Sequence, residues 1–222
     1  MKLVLCSEGF RTQNSVQACV ELCEKPQGSI SVAIINECYA VEEGDKYWVV
    51  DNLNDVASNF KGGLDIVNLL ALPLATVEER IMKCDVIFVV GGNADYLKYI
   101  FDKTGFSKLL PKLLKTKVYV GSSAGSMVMG ERLSSGARNI VYGKEQATYE
   151  TSRFLEFIDV AILPHLDSPH FPNRKETLLR ATEHHPGVVY GLRDDSAIVV
   201  DGDSQKVIGS DPIKIDNGRI VS

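Results

Sequence analysis

The sequence has no long apolar run, and this absence excludes a membrane-spanning protein. No segment approaches the roughly 18 consecutive apolar residues that a transmembrane helix requires. The short apolar start at residues 1–6 breaks at residues 7–9, which is too early for the core of a secretion signal. We therefore expect a cytoplasmic protein that has no membrane partner.

Excess positive charge and paired cysteine motifs are also absent. The chain has 24 Lys and Arg against 29 Asp and Glu, a formal charge of -5, and its basic residues are scattered. Nucleic acid binding requires a basic patch, so nucleic acid is excluded as a partner.

Five cysteines, an odd number with no C-x-x-C pair, argue against a disulfide framework or a zinc ribbon and indicate reduced thiols.

What is present is the alternation of an α/β protein. The 222 residues suit one domain spanning 1–222, without repeats or low-complexity segments. Short β-branched runs alternate with helical patterns, which predicts βαβ units and a mostly parallel sheet. The predicted strands are 2–6, 31–35, 64–67, 85–90, 117–120 and 160–163, and the predicted helices are 13–23, 51–60, 76–83, 94–101 and 106–114. Beyond residue 187, five short strands and turn clusters at 201–203 and 216–218 predict a small antiparallel extension.

The most informative motif is Gly-Ser-Ser-Ala-Gly at residues 121–125. It follows the strand at 117–120 and precedes an apolar helical pattern, which is the setting of a nucleophile elbow. Small neighbours allow the backbone to fold back sharply around Ser123. The helix that begins beyond Ser123 would stabilise developing negative charge through its free N–H groups. The motif predicts Ser123 as a nucleophile.

A second glycine turn, at residues 91–93, ends the strand at 85–90 and opens the next helix. Wound α/β folds place ligands at this carboxyl edge of the sheet. We expect the N–H groups of Gly92 and Ala124 to form an oxyanion hole, although the turn is equally compatible with an ordinary βα connection.

A serine nucleophile requires a base within hydrogen-bond reach, and four histidines are available. His165 follows the apolar run 160–164, so it should lie at a strand end on the same sheet edge as Ser123. His170 is a competing candidate, whereas residues 184–185 are expected at an exposed helix end. The segment 165–170 also admits a metal-binding interpretation, but it lacks a third ligand cluster and an H-E-x-x-H pattern.

At these residues the chain resembles the serine peptidase family that includes peptidase E, an α-aspartyl dipeptidase, and cyanophycinase. The motifs that carry the resemblance are 89–93, 120–125, 163–165 and 191–196, and they follow the family's order over most of the chain. The family is similar in fold to class I glutamine amidotransferases, which have a cysteine at the position of Ser123. The resemblance implies a flavodoxin-like sheet with helices on both faces. It also implies Ser123 as nucleophile, His165 as general base, and no metal or other cofactor.

Two departures from the family pattern concern the acid and the substrate. The family is expected to place an Asp or Glu between the elbow helix and the histidine, but no Asp lies between Ser123 and Asp159. We predict Glu145 as the acid of the triad, with Glu131 and Glu150 as competitors. Aspartyl dipeptidases that resemble this chain carry an arginine where Leu178 stands, which weakens the expectation of aspartyl specificity.

The candidate substrate-binding residues are Asn93, His170 and Arg174, and Arg138 or Arg174 could replace the missing guanidinium. Together these features predict a serine peptidase that hydrolyses small peptides through an acyl enzyme, as a monomer or homodimer. Two alternatives remain open: an esterase or amidase that uses the same residues, and a catalytically silent member of the fold that binds a small molecule.

Overall fold

The structure is a computed structural model that describes residues 1–142, 149, 153–183 and 185–221. These ranges form an α/β fold with two β-sheets and helices packed on them, as the sequence predicts. The strands are β1 (Lys2–Cys6), β2 (Val32–Ile35), β3 (Leu64–Ile66), β4 (Val86–Val89), β5 (Val118–Ser122), β6 (Ala161–Leu163), β7 (Val188–Gly191), β8 (Ala197–Asp201), β9 (Ser204–Ile208), β10 (Ile213–Asp216) and β11 (Arg219–Val221). The helices are α1 (Gln13–Cys23), α2 (Tyr47–Asn59), α3 (Leu74–Met82), α4 (Ala94–Thr104), α5 (Phe106–Leu113), α6 (Ala124–Met127), α7 (Ser135–Tyr142) and α8 (Arg174–Thr182).

The larger sheet has seven strands in the order β3-β2-β4-β5-β1-β8-β9. The five strands from β3 to β1 are parallel, whereas β8 pairs antiparallel with β1 and β9 pairs antiparallel with β8. This is the mostly parallel wound sheet that the strand and helix pattern predicts. The carboxyl ends of β1, β4 and β5 therefore meet at one edge.

Apolar residues cover both faces of this sheet because successive side chains of a strand point to opposite faces. In β1, Leu3 and Leu5 pack in one core, with apolar residues of α3, α4 and α5. Val4 and Cys6 face the other way and pack in a second core, with residues of α1 and α2. The near-continuous apolar strands of the sequence thus reflect burial on both faces.

The smaller sheet has the order β11-β10-β7-β6, and α7 and α8 share its apolar core. The run at 160–163, expected beside the other parallel strands, belongs to this sheet instead. The physical reason is that β8 pairs with β1 and fills that position, while β6 pairs with β7. The predicted C-terminal extension is accordingly divided between the two sheets. No helix in the described ranges is long and apolar enough to cross a lipid bilayer.

Candidate active site

Ser123 lies in a sharp turn between β5 and α6. Its backbone angles, φ 50° and ψ -108°, are unusual for a residue with a side chain and typically cost about 1–3 kcal/mol. The turn is held by the Ser123 N–H, which donates to the carbonyl oxygens of Cys6 at 3.1 Å and Ser7 at 3.0 Å. The side chain of Ser123 is half-buried at the carboxyl edge of the larger sheet.

The glycines of the 121–125 motif are required by close backbone approaches. A Cβ atom on Gly121 would lie 2.5 Å from the carbonyl carbon of Gly125. A Cβ atom on Gly125 would lie 2.2 Å from the carbonyl oxygen of Val89. Both distances are shorter than any carbon contact, so these two positions exclude larger residues and allow the turn to close.

His165 directly follows the end of β6 and Pro164, and its imidazole pairs with a carboxylate. The Nδ1 atom of His165 lies 2.8 Å from Oδ1 of Asp194, in the connection between β7 and β8. With Nδ1–H donated to the carboxylate, the unprotonated Nε2 is left to accept a proton. His165 has a positive φ of 63°, so Ser123 and His165 both adopt a backbone conformation that is uncommon for non-glycine residues. Such strain clusters at functional sites.

Ser7 links the turn at Ser123 to the His165–Asp194 pair. Its side chain is fully buried. Its hydroxyl accepts a hydrogen bond from the backbone N–H of His165 at 2.8 Å and donates one to Oδ1 of Asp194 at 3.2 Å. The carbonyl of Ser7 also accepts a hydrogen bond from the N–H of Ser123. Ser7 therefore contacts Ser123, His165 and Asp194.

The electrostatics of the site favour an ionised Asp194 beside the imidazole. Burial by itself would raise the pKa of Asp194, but the hydrogen bond and charge of His165 and the hydroxyls of Ser7 and Ser168 lower it overall. Glu8 has the opposite shift, because burial and the nearby Asp194 carboxylate both raise its pKa. Asp194 is therefore the better partner for a positively charged imidazole.

The two N–H groups predicted for the oxyanion hole are available. In the part of the chain that the structure describes, neither Gly92 nor Ala124 donates its backbone N–H to another group. Both lie next to Ser123, since Ala124 begins α6 and a Cβ on neighbouring Gly91 would lie 3.1 Å from the Ser123 Cβ. The oxyanion hole formed by these two N–H groups stays a prediction.

The acid predicted from the sequence is not tested by the described residues, in which Asp194 is the carboxylate at hydrogen-bond distance from His165. Glu145 and Glu150 lie outside the described residues. Glu131 is described, and it forms a β-bridge with Ala161 at the start of β6. Sequence reasoning missed Asp194, although the motif at 191–196 already contained it.

The predicted substrate-binding residues have different surroundings. Asn93 caps α4, because its side chain accepts a hydrogen bond from the N–H of Tyr96 at 3.0 Å, and His170 is exposed to solvent. Arg174 is buried at the start of α8, with only 4% of its surface exposed.

The residues discussed for the missing family arginine differ in their burial and in their ion pairs. Leu178 is fully buried in the core of the smaller sheet, where no guanidinium could be solvated. Arg138 is also buried, and with Arg132 it pairs with the carboxylate of Asp95. Arg138 is therefore paired, whereas the buried Nη1 atom of Arg174 has no hydrogen-bond partner among the described residues.

The histidines at 184–185 were expected at an exposed helix end, and for His185 this is wrong. His185 is 7% exposed, and its Nδ1 accepts a hydrogen bond from the N–H of Ser134 at 3.3 Å. The packing of the segment before α7 against the end of α8 explains the burial. Residue 184 lies outside the described ranges.

One group of side chains in the described ranges could hold a metal ion. The ligand atoms of Glu8, His165 and Asp194 lie within 4.8 Å of one another. Carboxylate oxygens with an imidazole nitrogen suit zinc or a similar divalent ion. The segment considered for metal binding in the sequence shares only His165 with this group, since Asp167 is turned to Arg193 at 3.2 Å.

Comparison with known proteins identifies the family. The model of peptidase family S51 matches residues 4–208. The chain belongs to peptidase family S51. This match extends from within β1 to the end of β9 and includes every residue of the site described above.

Individual relatives are more distant. The chain is 27% identical over 145 residues to an uncharacterized peptidase of Pasteurella multocida, covering 64% of this chain and 66% of that one. It is 26% identical over 132 residues to an uncharacterized peptidase of Listeria monocytogenes, covering 58% and 62% respectively. These matches span slightly less than two thirds of the length of the curated relatives.

Two solved structures share the fold. A candidate peptidase E protein from Listeria monocytogenes superposes with a TM-score of 0.74 at 21% identity, covering 95% of this chain and 98% of that one. A peptidase from an acI-B1 actinobacterium superposes with a TM-score of 0.66 at 16% identity, covering 100% and 96%. The similarity confirms the predicted fold class.

Proposed function

We propose that the protein is a serine peptidase that hydrolyses small peptides through an acyl-enzyme intermediate. The observation that carries the proposal is the chain of contacts from Ser123 through Ser7 to the His165–Asp194 pair. Membership of peptidase family S51 supports the choice of a peptide bond as the target. Asp194 takes the role that the sequence analysis gave to Glu145.

In this mechanism Nε2 of His165 takes the proton of the Ser123 hydroxyl as the oxygen attacks the peptide carbonyl. The N–H groups of Gly92 and Ala124 donate to the oxyanion that forms. Asp194 holds the imidazole in the required tautomer and stabilises its positive charge. His165 then protonates the leaving amine, and a water molecule repeats the sequence on the acyl enzyme.

The test is active-site labelling with a fluorophosphonate probe, read by intact mass. We expect rapid labelling of the wild type and none of Ser123→Ala. His165→Ala and Asp194→Asn should label more slowly, and loss of the triad acid typically lowers the rate by about 10⁴-fold. Ser122→Ala is the matched control, since Ser122 is buried beside Ser123 and its loss should leave labelling intact. An unlabelled wild type would contradict the proposal.

Two further variants separate the candidate acids. Glu145→Gln and Glu131→Gln should label at the wild-type rate if Asp194 is the acid. A slow Glu145→Gln variant combined with a normal Asp194→Asn variant would restore the prediction made from the sequence.

A metal-dependent hydrolase is the second candidate, and the cluster of Glu8, His165 and Asp194 favours it. A metal would require Glu8 as a ligand, whereas the serine mechanism does not. Hydrolysis that is abolished by a chelator, restored by zinc and lost in Glu8→Gln would support the metal mechanism. Hydrolysis unaffected by the chelator would support the serine mechanism.

A further inference from the structure

The guanidinium of Arg174 is buried without a carboxylate partner in the described part of the chain. It lies over the ring of Phe171, with Cζ at 4.3 Å from the ring centre, and over the ring of Tyr142 at 5.1 Å. Its Nη1 atom is buried and has no hydrogen-bond partner there. Contacts with aromatic rings offset only part of the cost of burying a charge, and among the described residues this cation has no anion beside it.

Arg174 also lines a cavity at the start of α8. The cavity is open to solvent, has a volume of about 310 Å³ and is lined by two segments, 166–168 and 171–176. Arg174 is the first residue of this nine-residue helix, and the side chain of Asn173 does not cap it. The free N–H groups and the positive dipole of the first turn therefore add to the positive potential of the guanidinium.

The negative groups that line this cavity are already paired or exposed. Asp167 forms an ion pair with Arg193 at 3.2 Å, and Glu176 is exposed on the first turn of α8. Lys175, also exposed, offsets the charge of Glu176 at the rim, which leaves the buried Arg174 as the unpaired charge. The cavity therefore suits an anionic ligand group.

Phe171 connects this cavity to the proposed base. Its ring stacks on the imidazole of His165, with ring centres 5.0 Å apart and planes inclined by 18°. Because Arg174 contacts the same ring, its Cζ lies at most a little over 9 Å from the imidazole centre. The histidine of a serine peptidase protonates the leaving amine, so a cation at this distance from His165 is within reach of a short leaving group.

We propose that Arg174 binds the C-terminal carboxylate of the peptide that leaves, and so restricts the enzyme to short peptides with a free carboxyl terminus. This inference rests on the proposed function. An extended residue spans about 3.3–3.6 Å, so a leaving group of one or two residues would bring its carboxylate to the guanidinium. A guanidinium offers the paired donors that a carboxylate accepts.

The experiment compares dipeptide and tripeptide libraries as free acids and as C-terminal amides. For the wild type we expect kcat/KM to favour the acids by about ten- to a hundredfold, the usual range for a charged hydrogen bond. Arg174→Met should remove this preference, mainly by raising KM for the acids, with little change for the amides. Arg180→Met, an exposed arginine on the same helix, is the matched control and should keep the preference.

A purely structural role gives a different result. If Arg174 only supports Phe171, Arg174→Met will lower the rates for acids and amides equally, and the inference is overturned. Equal rates for acids and amides in the wild type would overturn it without any variant, so the test survives a variant that fails to fold. No cleavage of either library by a protein that labels with fluorophosphonate would overturn the peptidase proposal, and the carboxylate subsite with it.

Discussion

The backbone N–H of His165 donates a 2.8 Å hydrogen bond to the hydroxyl of Ser7, a residue 158 positions earlier in the chain. Ser7 follows β1 in the larger sheet, and His165 follows β6 in the smaller one. The bond therefore fixes the backbone of His165, and with it the imidazole, relative to the larger sheet, which holds Ser123. Ser7 does not react in the proposed mechanism, so its contribution is to position the residues that do.

Ser7→Ala tests this positioning role. The variant loses an acceptor for a buried N–H and a donor to Asp194, which should lower the free energy of unfolding by about 1–3 kcal/mol. We expect kcat and the labelling rate of Ser123 to fall by roughly tenfold or more, with KM nearly unchanged, because a small misplacement of catalytic groups reduces rates strongly. Ser7→Thr retains the hydroxyl and should recover much of the rate.

The control for this variant is Ser15→Ala. Ser15 is also buried, and its hydroxyl donates to the carbonyl of Thr12 at 2.8 Å in the first turn of α1. The Ser15→Ala variant should have a lower free energy of unfolding, but its Ser123 should be labelled at the wild-type rate. If Ser15→Ala and Ser7→Ala slow labelling equally, the effect of Ser7 is only on stability.

Gly91→Ala tests the space around the proposed nucleophile. The added methyl would lie 3.1 Å from the Cβ of Ser123, closer than carbon atoms pack comfortably. We expect a loss of about 1–3 kcal/mol in unfolding free energy and at least a tenfold slower labelling of Ser123. Gly28→Ala adds a methyl that meets nothing within 4 Å and should change neither. Normal labelling of Gly91→Ala would show that this side of Ser123 tolerates displacement.

Asp95→Asn tests the buried ion pairs beside the 91–93 turn. Asp95 pairs with Arg132 and Arg138, and the side chains are 1%, 8% and 9% exposed. Removing the carboxylate leaves two buried cations without an anion, so we expect unfolding in urea to lose about 3–5 kcal/mol. Asp65→Asn breaks a pair with Arg80 in which both side chains are 32% exposed, and should cost less than about 1 kcal/mol. Similar losses in the two variants would contradict this ranking.

His185 provides a prediction about pH. Burial lowers the pKa of His185 in the folded protein, below the value of about 6.5 that it has in an unfolded chain. As the pH falls below about 6.5, the unfolded chain binds a proton at His185 before the folded protein does. The free energy of unfolding therefore decreases toward acid pH. Urea unfolding at pH 5 to 8 should show a steeper loss below pH 6.5 for the wild type than for His185→Gln. Parallel pH curves would contradict the assignment.

Much of the fold could be predicted from the sequence because its strands are buried on both faces. The run at residues 2–6 has no polar side chain after Lys2, and its bounds as a strand were predicted correctly. The helix α8 was missed because it has few apolar residues and so little helical periodicity. The assignment of β6 to the larger sheet was wrong because local pattern does not determine which strand fills the position beside β1.

The site was less accessible to sequence reasoning than the fold. Ser123 and His165 each follow a recognisable strand and a short motif, so they could be named individually. Asp194 and Ser7 lie far from both in the sequence, and only the pairing of β1 with β8 brings them together. The sequence analysis predicts an acid between the serine and the histidine, whereas Asp194, which contacts His165 in the described residues, comes 29 positions after it.

The division of the proposed triad between two sheets has a consequence for the newly synthesised chain. The larger sheet provides Ser123, the loop after β6 in the smaller sheet provides His165, and the helix α8 packed on that sheet provides Arg174. A chain in which the smaller sheet has not yet docked would expose a serine without a base. Hydrolysis by the proposed mechanism therefore requires both sheets to be in place in the same molecule.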